Sequence, residues 1–260
     1  MRIVRWRPRA NDRNALRSLY WRTAMLQSAI RNHLLSGLSA DAWNAIRPRL
    51  EPIDLPRNFH IAGFDAPIAH HYFPEDGVAS MVAVSAAGER TEIGLVGRDG
   101  VTPLVAILDA ERHPFEFMMQ VSGKGHRIKR EALQELLAEN VEVRRILERF
   151  ALSLFTQTAY TALSNAVQRI DARLARWILM IDDRVDGHRI DVTHEFLAVM
   201  LAVRRPGVTN ALHVLEGQNL IYSDRGVIRI RDRGALEAFA GAAYGTPERV
   251  LSRMTIEGGS

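Results

Sequence analysis

The spacing of apolar positions changes character several times along the chain. Residues 13–35 and 39–50 carry short helical patterns, with Ser39 placed to cap the second and Asp41 in its first turn. From Ile53 to about Ile128 the apolar runs shorten (HHYFPEDGVASMVAV, TEIGLVG, FEFMMQVSG, GHRI). Turn residues recur there at roughly 8 to 12 positions, which predicts a β roll or sandwich of about eight strands. Alternation within Ser80–Val84 is weak, so architecture is better defined than register. From Arg130 to about Ile181 there is neither Pro nor Gly, and the Ala, Leu, Arg, Glu and Gln content predicts two long helices. In the first, Val143, Leu147, Phe150 and Leu154 repeat at four-three-four spacing, and the same phase turns polar at Gln157, Thr161 and Ser164. Such a stripe packs either on its own roll or on a symmetry mate. After a β roll, a two-fold helix pair in a homodimer is the preferred expectation.

From Asp191 the pattern tightens: DVTHEFLAVMLAVRRPGVTNALHVLEGQNLIYSDRGVIRIRD. Thr193 is a capping candidate for a short helix with Phe196, Leu197, Met200 and Leu201 on its apolar face and Ala198 where another helix must approach. After Ala202, Val203 and Arg204 a second helix starts near Arg205, with Pro206 in the first turn, where a missing N–H has no cost. Val208, Ala211, Leu212 and Leu215 form its buried face. Arg205, Thr209, Asn210 and His213 lie on one outer stripe, led by Arg204 and Pro206. Two short helices joined by a tight turn leave that stripe as a ridge, and such a ridge fits a DNA major groove. Arg205 can donate a bidentate pair to a guanine edge, Asn210 can pair with adenine, and Thr209 and His213 can reach bases or phosphates. Ser223-Asp224-Arg225-Gly226 turns a hairpin whose tip presents Arg225, a wing suited to phosphate. Thr193 and His194, at the start of the first helix, complete the candidate DNA-contact set. Taken alone, a polar stripe on a helical hairpin more often means a solvated face; the ordered set of helix, turn, Arg-led helix and basic hairpin favours DNA.

Composition narrows the chemistry. A length of 260 residues, at roughly 150 per domain, suggests two domains. No stretch approaches the ~18 to 20 apolar residues of a membrane span, and MRIVRWRPRA lacks the apolar core of a signal peptide, so a cytoplasmic protein without a membrane partner is expected. The absence of cysteine excludes disulfides, thiolate metal sites, cysteine-ligated iron–sulfur clusters and a Cys nucleophile. The net charge of +4 is uneven: residues 1–34 hold eight Arg against Asp12, and the rest sums to −3. Of 34 basic residues only Lys124 and Lys129 are lysines, a bias that a GC-rich genome explains at least as well as nucleic-acid contact. The Arg-rich leader reads either as a tail touching phosphate or acidic partners, or as sequence upstream of a start at Met25. His70 and His71 point to opposite faces of a strand and do not readily share a metal. No Ser-His-Asp or paired-carboxylate arrangement suggests an enzyme.

Residues 191–231 resemble the C-terminal winged helix of the Crp/Fnr superfamily of bacterial transcription regulators. There, a roll resembling a cyclic-nucleotide-binding domain is followed by a long dimer helix and that winged helix. The resemblance covers about residues 33 to 235, with NHLLSGLSADAW, YFPEDGVAS, GLVGRDG and RLARWILMIDDR as further landmarks. It implies an α+β fold of β roll, long dimerisation helix and winged helix-turn-helix. It also implies a homodimer on a near-palindromic site in double-stranded DNA, with RNA polymerase as a further partner. By position, Arg205 matches the family's base-reading Arg and Thr193 its phosphate-contacting Thr. Where the best-known members have Glu after that Arg and a second Arg four positions later, this chain has Pro206 and Asn210, so its operator is expected to differ. Ala202 replaces the usual turn Gly, at a cost on the order of 1 kcal/mol if left-handed.

In nucleotide-binding members, a short loop with Gly and Glu and then an Arg followed by Ser or Thr hold the ribose and cyclic phosphate. The corresponding region here is Gly94–Gly100 and Glu111–Glu116, with His113-Pro114 in place of that pair. A cyclic nucleotide is therefore not the expected ligand and no cofactor is expected; Arg98, Asp99 and Gly100 stand as the candidate pocket for another effector, against the readings that the roll binds no ligand and that Arg98 makes a surface-loop salt bridge. GLVGRDG leads into Thr102-Pro103 rather than the helix a dinucleotide site requires. The expected organisation is a basic extension (1–32), a β-roll sensor (33–135), a dimerisation helix (136–166), a winged helix-turn-helix (167–235) and a C-terminal tail (236–260). The competing reading is a β-roll module for a small molecule or protein whose helical domain serves assembly only.

Overall fold

The computed structural model describes residues 26–108, 110–247 and 249–250. The Arg-rich leader up to Met25 lies outside them. Residues 26–32 are part of the folded protein rather than of an extension. A 3-10 turn, Gln27–Ala29, leads to buried Ile30 and to Asn32, which has no exposed surface. Asn32 uses both ends of its amide. Its Oδ1 accepts from the Leu34 and Leu35 N–H groups at 3.2 and 3.3 Å, capping helix α1 (His33–Ser36), and its Nδ2 donates to the Pro74 and Gly100 carbonyls at 2.9 and 2.8 Å. Helix α2 (Ala40–Ile46) begins at Ser39, whose Oγ accepts from the Ala42 N–H at 3.3 Å, with Asp41 in the first turn.

Nine antiparallel strands follow in the described residues: β1 (Glu51–Leu55), β2 (His60–Ala62), β3 (Ala66–Pro67), β4 (His70–Pro74), β5 (Val78–Val84), β6 (Arg90–Val96), β7 (Arg112–His113), β8 (Glu116–Val121) and β9 (Gly123–Lys129). They form sheets of order β1-β9-β4 and β2-β8-β5-β6, with β3 paired to β7. The weak alternation around Ser80 has two causes. A bulge interrupts the register between Met81 and Val82, and the central strand β5 is covered on both faces, so Val78 to Val82 are all buried. His71 is buried while its neighbour His70 is only partly so, as expected for opposite faces.

Helix α3 (Arg130–Glu139) ends at Asn140, whose side chain caps helix α4 (Val141–Val167) through the Val143 N–H at 3.0 Å. The expected dimer seam is corrected here. Val143, Leu147, Phe150 and Leu154 are buried against the protein's own roll, in one cluster with Phe73, Phe117, Leu133 and Leu136. A Cβ added at Gly100 would lie 2.0 Å from the Phe150 ring, which shows how closely the stripe is seated. Four-three spacing marks only a face that packs, and the roll supplies its partner. Of the polar continuation, Gln157 and Ser164 are buried and Thr161 is half-buried. The Gln157 Oε1 accepts from the Leu95 N–H at 2.5 Å and its Nε2 donates to the Leu95 carbonyl at 3.1 Å, so the side chain serves the edge of β6 as a strand would. The opposite face of α4 is uncovered, with Leu152, Phe155, Leu163 and Val167 about half or more exposed.

A second core surrounds helix α5 (Ile170–Asp182), whose residues from Leu174 to Asp182 are all buried. Around it lie strand β10 (Arg189–Asp191), helices α6 (His194–Met200) and α7 (Arg205–Gly217), strands β11 (Ile221–Asp224) and β12 (Val227–Ile230), and helix α8 (Arg233–Ala240). Val78 and Leu95 of the roll enter the same core. The domain boundary expected at residue 235 falls inside α8. Leu236 and Ala240 pack into the core, and Arg233 donates to Asp183 at 2.5 Å and to the Tyr244 hydroxyl at 2.7 Å, so the chain remains folded to Tyr244.

Candidate nucleic-acid interface

Each part of the expected helix pair forms for a local reason. The Thr193 Oγ1 accepts from the Phe196 N–H at 3.2 Å and starts α6. The turn passes through Ala202 at φ +49°, the left-handed conformation a Gly would adopt more cheaply, and the Val203 N–H bonds the Ala198 carbonyl at 2.9 Å. Arg204 is the extended N-cap residue of α7, and Pro206 occupies the first turn. Val208, Ala211, Leu212 and Leu215 are buried, as their spacing predicts. The helix ends in a Schellman-type cap: Asn219 takes φ +59° and the Leu220 N–H reaches back to the Leu215 carbonyl at 3.0 Å, which accounts for Gln218-Asn219-Leu220. The Glu216 carboxylate accepts from the Ser223 N–H at 2.8 Å and ties the helix to β11. Arg225 (φ +41°) and Gly226 (φ +83°) make the two-residue hairpin turn between β11 and β12, and β10 completes a three-stranded wing of order β10-β12-β11.

Arg204, Arg205, Asn210, His213 and Arg225 are exposed, and their side chains have no hydrogen-bond or ion-pair partner among the described residues. Thr209 and His194 differ. The Thr209 Oγ1 donates to the Arg205 carbonyl at 3.3 Å and lies 3.3 Å from the His194 Nδ1, so these two side chains brace α6 against α7. Thr193 is exposed, and its cap occupies only the acceptor side of the hydroxyl, leaving the O–H to donate. Sequence reasoning placed Arg229 and Arg231 on the basic hairpin but missed Arg189 and Tyr222 beside them. Arg189, Arg229 and Tyr222 stand in register across β10, β12 and β11, and Arg231 lies over the Tyr222 ring at 5.1 Å. The cross-strand pattern of VIRIR carried that signal.

The candidate effector pocket is not a pocket. The Asp99 carboxylate is chelated by Arg184 at 3.1 and 2.5 Å in a buried pair and also accepts from the Gly97 N–H at 2.8 Å. Arg98 donates to Asp186 and to the Val185 carbonyl, both at 3.0 Å. Gly100 is filled against Phe150, and a Cβ at Gly97 would meet the Arg184 side chain at 2.8 Å. GLVGRDG is therefore a clasp between the roll and the end of α5, and its glycines permit close approach. Among the described residues no group of three or more His, Asp or Glu could hold a metal ion, and no helix is long and apolar enough to cross a membrane.

A helix pair with a tight turn, an outward second helix and a three-stranded wing, set after a β roll and a long helix, is a winged helix-turn-helix arrangement. Residues 172–239, from α5 to α8, match the family described as the Crp-like helix-turn-helix domain. Solved structures share the wider fold. FixK2 from Bradyrhizobium japonicum is 18% identical with a TM-score of 0.64, covering 74% of this chain and 98% of that one. The c-di-GMP responsive global regulator CLP from Xanthomonas campestris is 13% identical with a TM-score of 0.62, covering 75% and 100%. A CRP-family transcriptional regulator from Thermus thermophilus is 18% identical with a TM-score of 0.61, covering 74% and 98%. No curated protein matches the chain in sequence. Residues 172–239 are thus similar to a Crp-like helix-turn-helix domain, and the chain as a whole shares its fold with these structures.

Proposed function

We propose that the protein is a sequence-specific DNA-binding transcription regulator that acts as a homodimer on a near-palindromic operator. In this reading α7 lies in the major groove, Arg205 reads guanine, Asn210 reads adenine, and His213 reaches a base or phosphate farther along. Arg204, Arg225 and the Thr193 hydroxyl hold phosphates, while His194 and Thr209 position the helix. The observation that carries the reading is the row of exposed, partnerless Arg204, Arg205, Asn210 and His213 on a helix whose other face is fully packed. Pairing of two chains is assigned to the uncovered face of α4, where Leu152, Phe155, Ala159, Ala162 and Ala166 recur at three-four spacing and the alanines allow close approach. RNA polymerase is the further partner such a role implies, and the role places the protein with the chromosome in the cytoplasm.

Selection of bound duplexes from a random DNA pool, followed by anisotropy titration at two salt concentrations, tests this. A two-fold symmetric consensus and weakening as salt rises are expected. Arg205→Ala is expected to cost about 1 to 3 kcal/mol on the selected site and to relax discrimination at one base pair. Equal loss on every sequence would reassign Arg205 to phosphate. Absence of salt-dependent binding would leave an assembly module in place of a regulator.

A further inference from the structure

The roll and the winged-helix domain meet through a buried polar knot. Glu92 on β6, Ser80 on β5, Gln120 on β8, Trp177 on α5 and Met200 on α6 are all buried there. The Glu92 Oε1 accepts from the Trp177 Nε1 at 2.8 Å. Its Oε2 accepts from the Gln120 Nε2 at 2.7 Å and from the Ser80 hydroxyl, and the Gln120 Nε2 also touches the Met200 sulfur at 3.1 Å. One carboxyl group thus joins three strands of the roll to α5, and through Gln120 to α6.

Burial is the largest influence on Glu92, and the charges of Arg176 and Arg184 act against it, favouring the ionised form. Arg176 on α5 donates to the Ala243 and Gln157 carbonyls at 2.9 and 3.4 Å, and Arg184 holds Asp99. Arg173 on α5 donates to the Leu201 carbonyl and lines, with Glu92, a cavity of about 20 Å³, room for a single water. Farther along the sheet Glu116 is paired with Arg90, and the charged residues of α6, His194 and Glu195, sit at the end away from Met200. The hydrogen bonds from Ser80 and Trp177 and the charges of Arg176 and Arg184 all favour the carboxylate, and together they do not offset its removal from water. Burial pushes the acid up to about 8.

We propose that Glu92 is a proton-operated latch that fastens the winged-helix domain to the roll when neutral and releases it when ionised. The placement of α7 relative to α4 then follows pH. The sign follows from linkage. The docked form holds the proton more tightly than the undocked form, in which water restores an ordinary carboxyl value, so docking takes up a proton. The docking constant falls about tenfold per pH unit between that ordinary value and about 8, and levels off above it.

The chain has no cysteine, so Ala87→Cys on the roll and Gln218→Cys beyond α7, both exposed, accept a dye pair in the full-length protein. Energy transfer is read from pH 5.5 to 8.5 without DNA, which keeps the outcome separate from the DNA-binding reading. One docked distance at low pH and a second population growing as pH rises are expected. In Glu92→Gln, close in size and neutral throughout, the docked distance is expected to persist at every pH. An unchanged pH response in that variant, or a wild type that does not respond, overturns the latch. Infrared spectroscopy of the wild type needs no variant. A protonated-carboxyl band that persists at neutral pH and fades in step with the distance change supports the proposal, and loss of every such band by pH 5 refutes it.

Discussion

If two chains pair through the uncovered face of α4, two phenylalanines five positions apart on that helix should separate folding from pairing. Phe155 is 71% exposed, and Phe150 is 2% exposed against the roll. An aromatic side chain offers roughly 200 Å² to burial, so covering the exposed part of Phe155 removes about 140 Å² from water, worth about 3.5 kcal/mol per chain as an upper bound. Allowing for the methyl that alanine keeps and for side-chain ordering, Phe155→Ala is expected to lose about 2 kcal/mol per chain, or about a thousandfold in the dimer dissociation constant over two copies. Stability of the monomer should change by less than about 0.5 kcal/mol, because an exposed residue is altered. Phe150→Ala should do the reverse, costing about 3 to 5 kcal/mol of folding stability through a core cavity while leaving the pairing surface in place. Sedimentation equilibrium gives the first quantity. Urea unfolding at a concentration where both variants are monomeric gives the second. A Phe150→Ala protein that is stable but monomeric, beside a Phe155→Ala protein that still pairs, would return the seam to the buried face and refute the assignment.

Gly100→Ala forces a methyl into the Phe150 ring, so a loss of about 1 to 3 kcal/mol is expected on chemical unfolding, and most of it should disappear in a Phe150→Ala background; additive losses would show that the two do not compete for space. Burial lowers both His71 and His113 to about 4, so each must take up a proton on unfolding below its ordinary value. The native state is then expected to weaken by up to about 1.4 kcal/mol per pH unit for each imidazole between about 6.5 and about 4. This is measured in Glu92→Gln, where the opposing titration is gone, and a flat unfolding midpoint over that range would contradict the burial argument.

Helix α7 was readable from the sequence because every constraint on it is local. Proline in the first turn and apolar positions at helical spacing lie within eleven residues of one another, and the structure places each as expected. The face of α4 was not readable. Val143-Leu147-Phe150-Leu154 and Leu152-Phe155-Ala159 are both apolar repeats, and only the position of the roll decides which is covered. Arg98-Asp99-Gly100 failed as a pocket for a related reason, although the loop salt bridge at Arg98 is present. Their partners Arg184, Asp186 and Phe150 lie 50 to 88 residues downstream, so a clasp looked like a binding loop. Glu92 gave no signal at all: a single acid in a strand looks solvated until Trp177 closes over it.

Positions 150 and 155 are separated by about 140° around the helix axis. A rod gripped along one flank by the roll and free along most of the other behaves as an axle: any reshaping of the roll that turns it swings the second flank through the same angle. If two chains meet there, a modest rotation misaligns whole rows of side chains, so strain in the roll would reach the mate without a hinge and without a bound ligand at the contact.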